Sequence, residues 1–445
     1  MSFGWKVTQV FGDNSSPGPV NDCDIISALE FDTTGEYIAV GDRGGRVVLF
    51  QRESPPKYTD EIETNNSRLR GFKFYNEFQS HESEFDYLKS NEIEEKINSI
   101  KWLKPRNNAN FLLSTNDKTI KLWKIYEKDT FIDNESALNF QEISSPSFLR
   151  IPKISKQKPT PSIHLRRVYS HAHVYDINSI SVNPDQETFL SSDGLRINLW
   201  NLELTKNAFN IVDMKPEDLE DLTEVITDAK FHPNNCGLFC YSTSKGVIRL
   251  GDLRVSKTST DSSKIFHYED NESNSFFSEV INSISDIQFS FDGRYVVSRD
   301  FMSLKVWDLN MESKPVAIFH VHEFLTPKFG YLYENDYIID KFECSFSHDG
   351  EHLITGSYGN HFYIIDWKRE KAILVNASQN PHLNQQYFDA ITPTNKNSPT
   401  TSALEYNIQK VDYSRKVLAV GWNPKEPIIT FGATNILYLY AGKPL

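Results

Sequence analysis

The stretch ISDIQFSFDGRYVVSRDFMSLKVWD, residues 284–308, contains three short apolar segments separated by polar turns. Within each segment the apolar residues alternate with polar ones or run together, and Gly, Asp and Ser stand between the segments. This is the pattern of β-strands that are joined by tight turns. The stretch therefore predicts three consecutive antiparallel strands of one sheet.

The same three-part phrase occurs seven times along the chain. It resembles the WD repeat, whose dipeptide is present at Trp307-Asp308, although the fourth copy has Gly251-Asp252 instead. Seven copies in the same order predict an all-β fold, a seven-bladed WD-repeat β-propeller, in which radial repetition protects the sheet edges. The third segments of the copies end at Phe50, Trp123, Trp200, Gly251, Trp307, Asp366 and Tyr440.

Each copy except the last is followed by a candidate outer strand, and residues 5–11 form a strand without a repeat of its own. We expect this N-terminal strand to complete the last blade and close the ring, so that residues 1–445 form a single domain. Two insertions stand out. Residues 126–167 in blade two predict a long projecting hairpin, the arm, and residues 376–402, rich in Asn, Thr, Ser and Pro, predict a flexible loop.

The charge balance restricts the partners. The chain has 47 Lys and Arg against 60 Asp and Glu, a net charge of −13. Nucleic acid selects basic surfaces, so we expect no nucleic-acid partner but partners with basic segments. The start of the chain has no apolar run typical of a signal peptide, and no stretch of ~18 apolar residues occurs. We expect a soluble intracellular protein of the cytoplasm and nucleus, with no membrane partner.

No catalytic motif is recognisable. The glycine-rich GDRGGR near Gly41 lies between two strands and lacks the helix of a phosphate loop, so it predicts a β-turn. His171 and His173 are two positions apart, as on one face of a strand, but no third metal ligand is near. The sequence thus predicts neither enzyme activity nor a metal or cofactor. We interpret the four cysteines as buried thiols in a reducing compartment: Cys23, Cys236, Cys240 and Cys344.

Strand direction sorts the connections by face. If strands a to d of each blade alternate in direction, the b–c turns and the d-to-a connections emerge on one face, and the a–b and c–d turns on the other. The d-to-a connections at residues 80–96 and 213–228 carry six and seven acids. They are either solvated connections or the walls of a groove for a basic, partly apolar segment. The arm, on the opposite face, has a basic second half, which is either a disordered loop or an arm that reaches an acidic partner.

A narrower resemblance begins at EFDYLKSNEIEEKIN, residues 84–98, and continues at HAHVYDINSISVN, residues 171–183. These segments, with matches along the whole chain, resemble the B-type regulatory subunit of protein phosphatase 2A. The resemblance implies a trimer of a helical-repeat scaffold, a metal-dependent serine/threonine phosphatase subunit and this propeller. It also implies that the propeller chooses phosphoprotein substrates, and binds inhibitors, through an acidic groove, while the basic arm grips the scaffold.

The resemblance and the strand directions together nominate site residues. For the scaffold-binding arm these are Arg150, Lys153, Lys156 and Lys158. For the substrate groove they are Arg43, Glu94, Glu95, Lys96, Tyr175, Asp193, Leu195, Glu220, Asp221, Leu222 and Asp340. Gly194 departs from the family pattern, which has a second acid after Asp193. A generic WD-repeat adaptor, such as a substrate receptor of a ubiquitin ligase, remains the alternative function.

Overall fold

A computed structural model of the chain describes residues 3–12, 20–53, 70–87, 90–133, 154–156, 159–255, 264–268, 277–377, 385–389 and 411–444. In these residues, seven sheets of four or five antiparallel strands each form one blade of a propeller. The predicted seven-bladed, all-β architecture is confirmed. The short strands follow from the sequence pattern, because β-branched and aromatic residues alternate with polar ones between turn residues.

The strands are numbered along the chain, beginning with β1 (Phe3–Phe11). Blade 1 consists of β2 (Ile26–Phe31), β3 (Tyr37–Asp42), β4 (Arg46–Arg52) and β5 (Phe72–Gln79). A small hairpin follows, with β6 (Glu84–Asp86) and β7 (Asn91–Ile93). Blade 2 consists of β8 (Ser99–Arg106), β9 (Ala109–Thr115), β10 (Ile120–Lys128) and β13 (Thr160–Tyr169), and the hairpin of β11 (Phe131–Asp133) and β12 (Ile154–Lys156) lies between its last two strands.

Blade 3 consists of β14 (Ser179–Val182), β15 (Thr188–Ser192), β16 (Arg196–Asn201) and β17 (Ala208–Asp213). Blade 4 consists of β18 (Ile226–Phe231), β19 (Leu238–Thr243), β20 (Ile248–Asp252) and β21 (Lys264–Phe266). Blade 5 consists of β22 (Ile284–Phe289), β23 (Tyr295–Asp300), β24 (Ser303–Asp308) and β25 (Ala317–His320).

Blade 6 consists of β26 (Cys344–Phe346), β27 (His352–Gly356), β28 (His361–Asp366), β29 (Lys371–Asn376) and β30 (Gln385–Asp389). Blade 7 consists of β31 (Val417–Trp422), β32 (Ile428–Ala433), β33 (Ile436–Pro444) and β1. The helices are short: α1 (Ser278–Ile281), α2 (Phe329–Glu334), and 3-10 turns at Asp22–Asp24, Leu219–Asp221, Glu323–Lys328 and Tyr337–Ile339.

The ring is closed by pairing the two terminal strands. β1 runs antiparallel to β33, with Val7 opposite Tyr440. Trp5 is buried in this blade, and its ring packs edge-on against Trp422 with the centroids 5.4 Å apart. The inner strand of each blade contacts those of both neighbours, and β31 contacts β2, so the inner strands form a complete ring around the central channel.

Polar side chains tie neighbouring blades together around this channel. The outer edge of each inner strand is paired within its own blade, but the other edge leaves amide groups that need acceptors. Asp286 accepts a hydrogen bond from the amide of Cys344 in the next blade (2.9 Å), and Glu343 accepts one from the amide of Val420 (3.1 Å). Asp228 makes the same contact with the blade that follows it. Buried and half-buried acids on or next to the inner strands therefore hold neighbouring blades together.

The aromatic residue at the end of a third strand also has a structural role. The indole N–H of Trp200 donates to the hydroxyl of Ser191 in the same blade (2.7 Å), and that of Trp307 donates to Ser298 (3.0 Å). A buried indole needs such an acceptor. The Ser–Trp pairs therefore explain why these repeats combine a serine on the second strand with a tryptophan on the third.

Two details differ from the sequence analysis. Five residues of the predicted loop at 376–402 form β30, the fifth strand of blade 6, because β29 offers an unpaired edge to which Gln385–Asp389 can bind. The remainder of that segment from residue 378 onward lies outside the described residues. All four cysteines are free, but only Cys240 and Cys344 are buried; Cys23 and Cys236 are exposed.

Candidate binding face at the mouth of the central channel

The b–c turns and the d-to-a connections meet on one face, which we call the connection face. Several connections are hydrogen-bonded to the b–c turn before them: the amide of Ile97 donates to the carbonyl of Asp42 (3.1 Å), and the amide of Ile177 donates to that of Asp117 (2.9 Å). The amide of Ile226 likewise donates a hydrogen bond to the carbonyl of Gly194 (2.7 Å). The opposite face, from which the arm leaves, is called the arm face.

The predicted residues Arg43, Glu94 and Lys96 come together on the connection face. Lys96 is half-buried, as is Glu95 beside it, and burial together with the charge of Arg43 lowers the pKa of the Lys96 ammonium group. Asp117 and Glu94 oppose this effect, which shows that both carboxylates lie near the ammonium. The side chain of Glu94 is exposed, and its carbonyl accepts a hydrogen bond from the side chain of an asparagine in the adjacent turn (3.0 Å).

Asp340 belongs to the same cluster of charges but is already bound. It forms an ion pair with Lys416, whose charge also acts on Lys96. The hydroxyl of Tyr358 donates to its other carboxylate oxygen (3.0 Å). The Lys416 ammonium lies 5.6 Å from the ring centre of Tyr337, a cation–π distance. Asp340 therefore orients a neighbouring lysine, and its carboxylate is only partly available to a partner.

The mouth of the channel has a mixed charge rather than the acidic lining that the resemblance implies. Asp176 forms an ion pair with Lys118 (2.8 Å). Burial lowers the pKa of Lys341, and the charge of Asp176 partly opposes this effect. Tyr175, next to Asp176, is 43% exposed and available for contact. Lys341 and the lysines that face the predicted acids were missed because a single sequence does not show which connections approach one another across the channel.

The excess of acid lies further out, on the rim of the connection face. The hairpin of β6 and β7 exposes Glu82, Glu84 and Glu92, together with the aromatic rings of Phe85 and Tyr87, whose centroids are 5.1 Å apart. The connection between blades 3 and 4 exposes a second acidic group, which comprises Glu217, Asp218, Glu220 and Asp221. Acidic segments separated by the mixed mouth thus form the two ends of the candidate site.

Asp221 and Leu222 line a pocket of about 270 Å³ beside blade 4. Asp218 begins the 3-10 turn Leu219–Asp221 and accepts a hydrogen bond from the amide of Glu220 (3.2 Å). Arg249 forms the floor of the pocket and is paired with a glutamate of the same connection. The pocket combines an exposed acid with an apolar side chain, as a basic and partly apolar segment requires.

Asp193 and Leu195 occupy different positions from those predicted, because both side chains are buried. Asp193 is bound to the imidazole of His173 (2.8 Å) and accepts the amide of Arg196 (2.7 Å). His173 in turn contacts Ser191 (2.5 Å), the acceptor of the tryptophan in this blade. Burial disfavours the charged form of Asp193, but these hydrogen bonds outweigh it and lower its pKa. The pattern of an exposed turn does not distinguish such a buried aspartate from a surface acid.

A helical platform on the connection face was not predicted. The segments at 277–281 and 323–339 pack over blades 5 to 7 around buried Leu325, Leu332 and Phe342. Their outer side exposes Tyr331, Tyr333 and Ile339, at 47% to 62% of their surface. Leu325, Phe329 and Leu332 are spaced by four and three residues, which is the signal that could have indicated helix.

The predicted arm residues Arg150, Lys153 and Lys158 lie outside the described residues. The backbone of Lys156 is in β12, opposite Phe131 of β11. The predicted hairpin is present at the base of the arm, as a two-stranded sheet separate from blade 2.

Clusters of metal-binding side chains are absent from the described part of the chain: no three His, Cys, Asp or Glu side chains are grouped there closely enough to hold a metal ion. None of the helices in these ranges is sufficiently long and apolar to cross a membrane. His171, exposed and with a left-handed backbone, lies in a connection and not on a strand.

The chain is similar over nearly its full length to several characterised proteins. It is 46% identical to a PP2A regulatory protein of B type from Schizosaccharomyces pombe, over 98% of this chain and 97% of that protein. It is 48% identical to the protein phosphatase 2A regulatory subunit sur-6 of Caenorhabditis elegans, over 98% of this chain and 90% of that protein. The chain belongs to the B-type regulatory subunits of protein phosphatase 2A. A third B-type relative, the regulatory subunit phr2AB of Dictyostelium discoideum, is 44% identical over 98% of both chains.

Family membership decides between the two functions that the sequence left open, since these relatives are named as phosphatase regulators and not as ligase receptors. No protein-family model matches the chain. Gly194 is the point at which this B-type regulator departs from the expected pattern. A Cβ atom there would come no closer than 4.0 Å to Val225, so packing does not require glycine. The absence of a second acid after Asp193 is therefore a change in surface chemistry.

Proposed function

We propose that this B-type regulator selects substrates for protein phosphatase 2A by holding a basic segment of the substrate across the connection face. The main support is the set of exposed acids around the channel mouth. Glu94, Glu220 and Asp221 are exposed and form no ion pair with another described residue. Tyr175 and Leu222 supply apolar surface beside them. A phosphosite next to the bound segment then reaches the active site of a neighbouring catalytic subunit.

The energetics of such a contact are modest for each residue and substantial for the group. One exposed ion pair contributes about 0.2–1 kcal/mol. Three acting together give roughly 0.6–3 kcal/mol, which corresponds to about three- to a hundredfold in affinity. This is enough to rank substrates without holding the product permanently.

The proposal assigns a different partner to each face of the propeller. The arm and the part of the arm face at its base, between blades 1 and 2, bind a helical-repeat scaffold, and the propeller meets the metal-dependent catalytic subunit in the same trimer. Phosphoprotein substrates and inhibitors with basic segments bind the connection face. The propeller itself has no phosphatase activity and acts in the cytoplasm and the nucleus. Phosphate release by the purified chain, free of catalytic subunit, would contradict this division of labour.

The test is a charge reversal on the connection face. We expect Glu94→Lys combined with Glu95→Lys to slow the dephosphorylation of substrates with basic flanks by roughly two- to thirtyfold at low salt. The effect should shrink as the salt concentration rises, because exposed charges are screened. The measurement is kcat/KM of the assembled trimer on matched phosphopeptides with basic and neutral flanks.

The matched control is Glu312→Lys, which changes an exposed acid on the arm face in blade 5. It should leave the ratio between basic and neutral substrates unchanged. Loss of scaffold binding by the double variant, or normal handling of basic substrates at low salt, would show that the connection face is not the substrate site.

A further inference from the structure

A cleft of about 770 Å³ opens on the arm face between blades 1 and 2. Its walls come from the a–b and c–d turns of the two blades, so it lies at the base of the arm. The lining that matters chemically is three tyrosines and three acids: Tyr37, Tyr75, Tyr126, Glu36, Glu127 and Asp129.

Two of the tyrosines, Tyr37 and Tyr75, form an aromatic cage with fixed geometry. The rings of Tyr37 and Tyr75 meet edge to face with their centroids 5.6 Å apart, and Gln51 donates a hydrogen bond to the hydroxyl of Tyr37 (2.9 Å). The ring of Tyr126 lies apart from this pair, against His164 at 5.6 Å and with the ammonium of Lys124 4.9 Å from its ring centre, because successive side chains of β10 point to opposite sides of the sheet. Rings that are already held in place bind a cation with little further loss of conformational entropy.

The charge of the cleft is negative, because its three acids outweigh its two arginines. Arg52 is buried and forms ion pairs with Glu426 of blade 7 and with Glu36 (3.8 Å), and Arg70 is exposed. Glu127 is exposed and forms no ion pair with another described residue. Glu127 and Tyr75 both line the cleft; burial raises the pKa of Tyr75, and the charge of Glu127 adds to this effect.

We propose that the cleft is a socket for one lysine or arginine side chain of the scaffold. The cation is recognised by the rings of Tyr37 and Tyr75 and by the carboxylate of Glu127, a combination that favours Lys and Arg over neutral side chains. Continuity with the arm identifies the partner, because Tyr126 and Asp129 belong to the chain that leads directly into β11. The inference rests on the proposed contact between the arm face and the scaffold.

Two variants test the socket in the full-length chain. Glu127→Lys should weaken binding to the purified scaffold roughly three- to thirtyfold, measured by calorimetry, since a repelled cation replaces an attracted one. Glu312→Lys, with the same change of charge on the same face, should bind normally. In a second experiment, p-benzoylphenylalanine in place of Tyr75 should crosslink under light to the scaffold, at a peptide that contains Lys or Arg.

The outcomes separate the socket from the wider proposal. If Glu127→Lys binds normally and the probe at Tyr75 reacts only with the chain's own arm, the socket is wrong while the arm still serves the scaffold. If neither this probe nor one placed at Phe131 in the arm reacts with the scaffold, the proposed role of the arm face fails as well. The melting temperature of each variant must match that of the unmodified chain. We expect Glu127→Lys to meet this condition because Glu127 is exposed, so the test stands even if the probe at Tyr75 destabilises the chain.

Discussion

Glu343 occupies an unfavourable position for a charged group. It lies at the central channel beside Asp286, within reach of the charges of Lys230 and Lys101. Burial, and next the charge of Asp286, raises the pKa of Glu343 to about 8. Burial likewise raises the pKa of Asp286 to about 7, although Lys230 opposes this effect. The hydrogen bond that Glu343 accepts from Val420 needs an acceptor oxygen but not a negative charge.

These pKa values predict how the stability of the ring depends on pH. A carboxyl whose pKa is raised in the folded state binds more protons there than in the unfolded chain. For Glu343 the folded protein loses stability as the pH rises from about 4.5 to about 8, and regains it as the pH falls. We expect Glu343→Gln to increase the free energy of unfolding by roughly 1–2 kcal/mol at pH 8, because the amide keeps the acceptor and removes the charge.

The measurement is urea unfolding at pH 8 and at pH 5. The advantage of Glu343→Gln should be smaller at pH 5, where the native carboxyl is protonated. The exposed Glu187, changed to Gln, provides the control and should show no such pH dependence. An advantage that is equal at both pH values would contradict the assignment of the raised pKa to Glu343.

Asp193 illustrates a residue whose loss would imitate a binding defect. Replacing it with Ala leaves His173 and the amides of Leu195 and Arg196 without their acceptor. We expect Asp193→Ala to lower the free energy of unfolding by about 2–4 kcal/mol, since unsatisfied buried donors are costly. Thermal unfolding checks this directly. The double variant at Glu94 and Glu95 should melt normally. A normal melting temperature for Asp193→Ala would contradict the structural role of this buried aspartate.

At the scale of elements, the arm is separable from the propeller. β11 and β12 form their own two-stranded sheet, and blade 2 keeps all four strands without them. The pairing of β10 with β13 reaches Lys128 opposite Thr160, so a short turn could replace the hairpin at that point.

We therefore expect deletion of residues 131–158 to weaken binding to the scaffold by at least tenfold while the melting temperature stays nearly the same, because loop residues outside the ladder add little core packing. Calorimetric titration with the scaffold and thermal unfolding check the two parts. Unchanged assembly of the trimer after the deletion would rule out a binding role for the arm.

The secondary-structure elements also show how much of the fold can be predicted from the sequence. The strands of the repeats were predictable, because their alternating apolar residues are set by local geometry and by burial on both faces. The hairpin of β6 and β7, the strand β30 and the short helices were not, because segments of three to six residues are marginal alone and form by packing on the propeller. The face that carries Glu94 and Glu220 followed from strand direction, and Asp340 was named from the family resemblance. The burial of Asp193 depends on contacts between distant residues.

At the scale of the whole molecule, blade 7 makes the ring depend on its N-terminal strand. Removing residues 1–12 takes away β1 and leaves the edge of β33 unpaired, with Trp422 uncovered. We expect this deletion to lower the melting temperature and to cause aggregation, because a long unpaired edge strand pairs with other chains. Light scattering during heating is the measurement. Lys6→Ala, which keeps the strand and changes only an exposed side chain, should behave like the unmodified chain.

The same closure has a consequence for how the protein is made. β1 is translated first, but its partner β33 begins at Ile436, more than four hundred residues later. At about 5–20 residues per second, the ribosome needs about 20–90 s to reach that strand. During this time the nascent chain holds a finished strand with nothing to pair with, beside blades that are already complete. Chaperones that shield exposed strands should therefore act on this chain during synthesis, and a premature stop codon within blade 7 should mark the product for degradation even though six blades are intact.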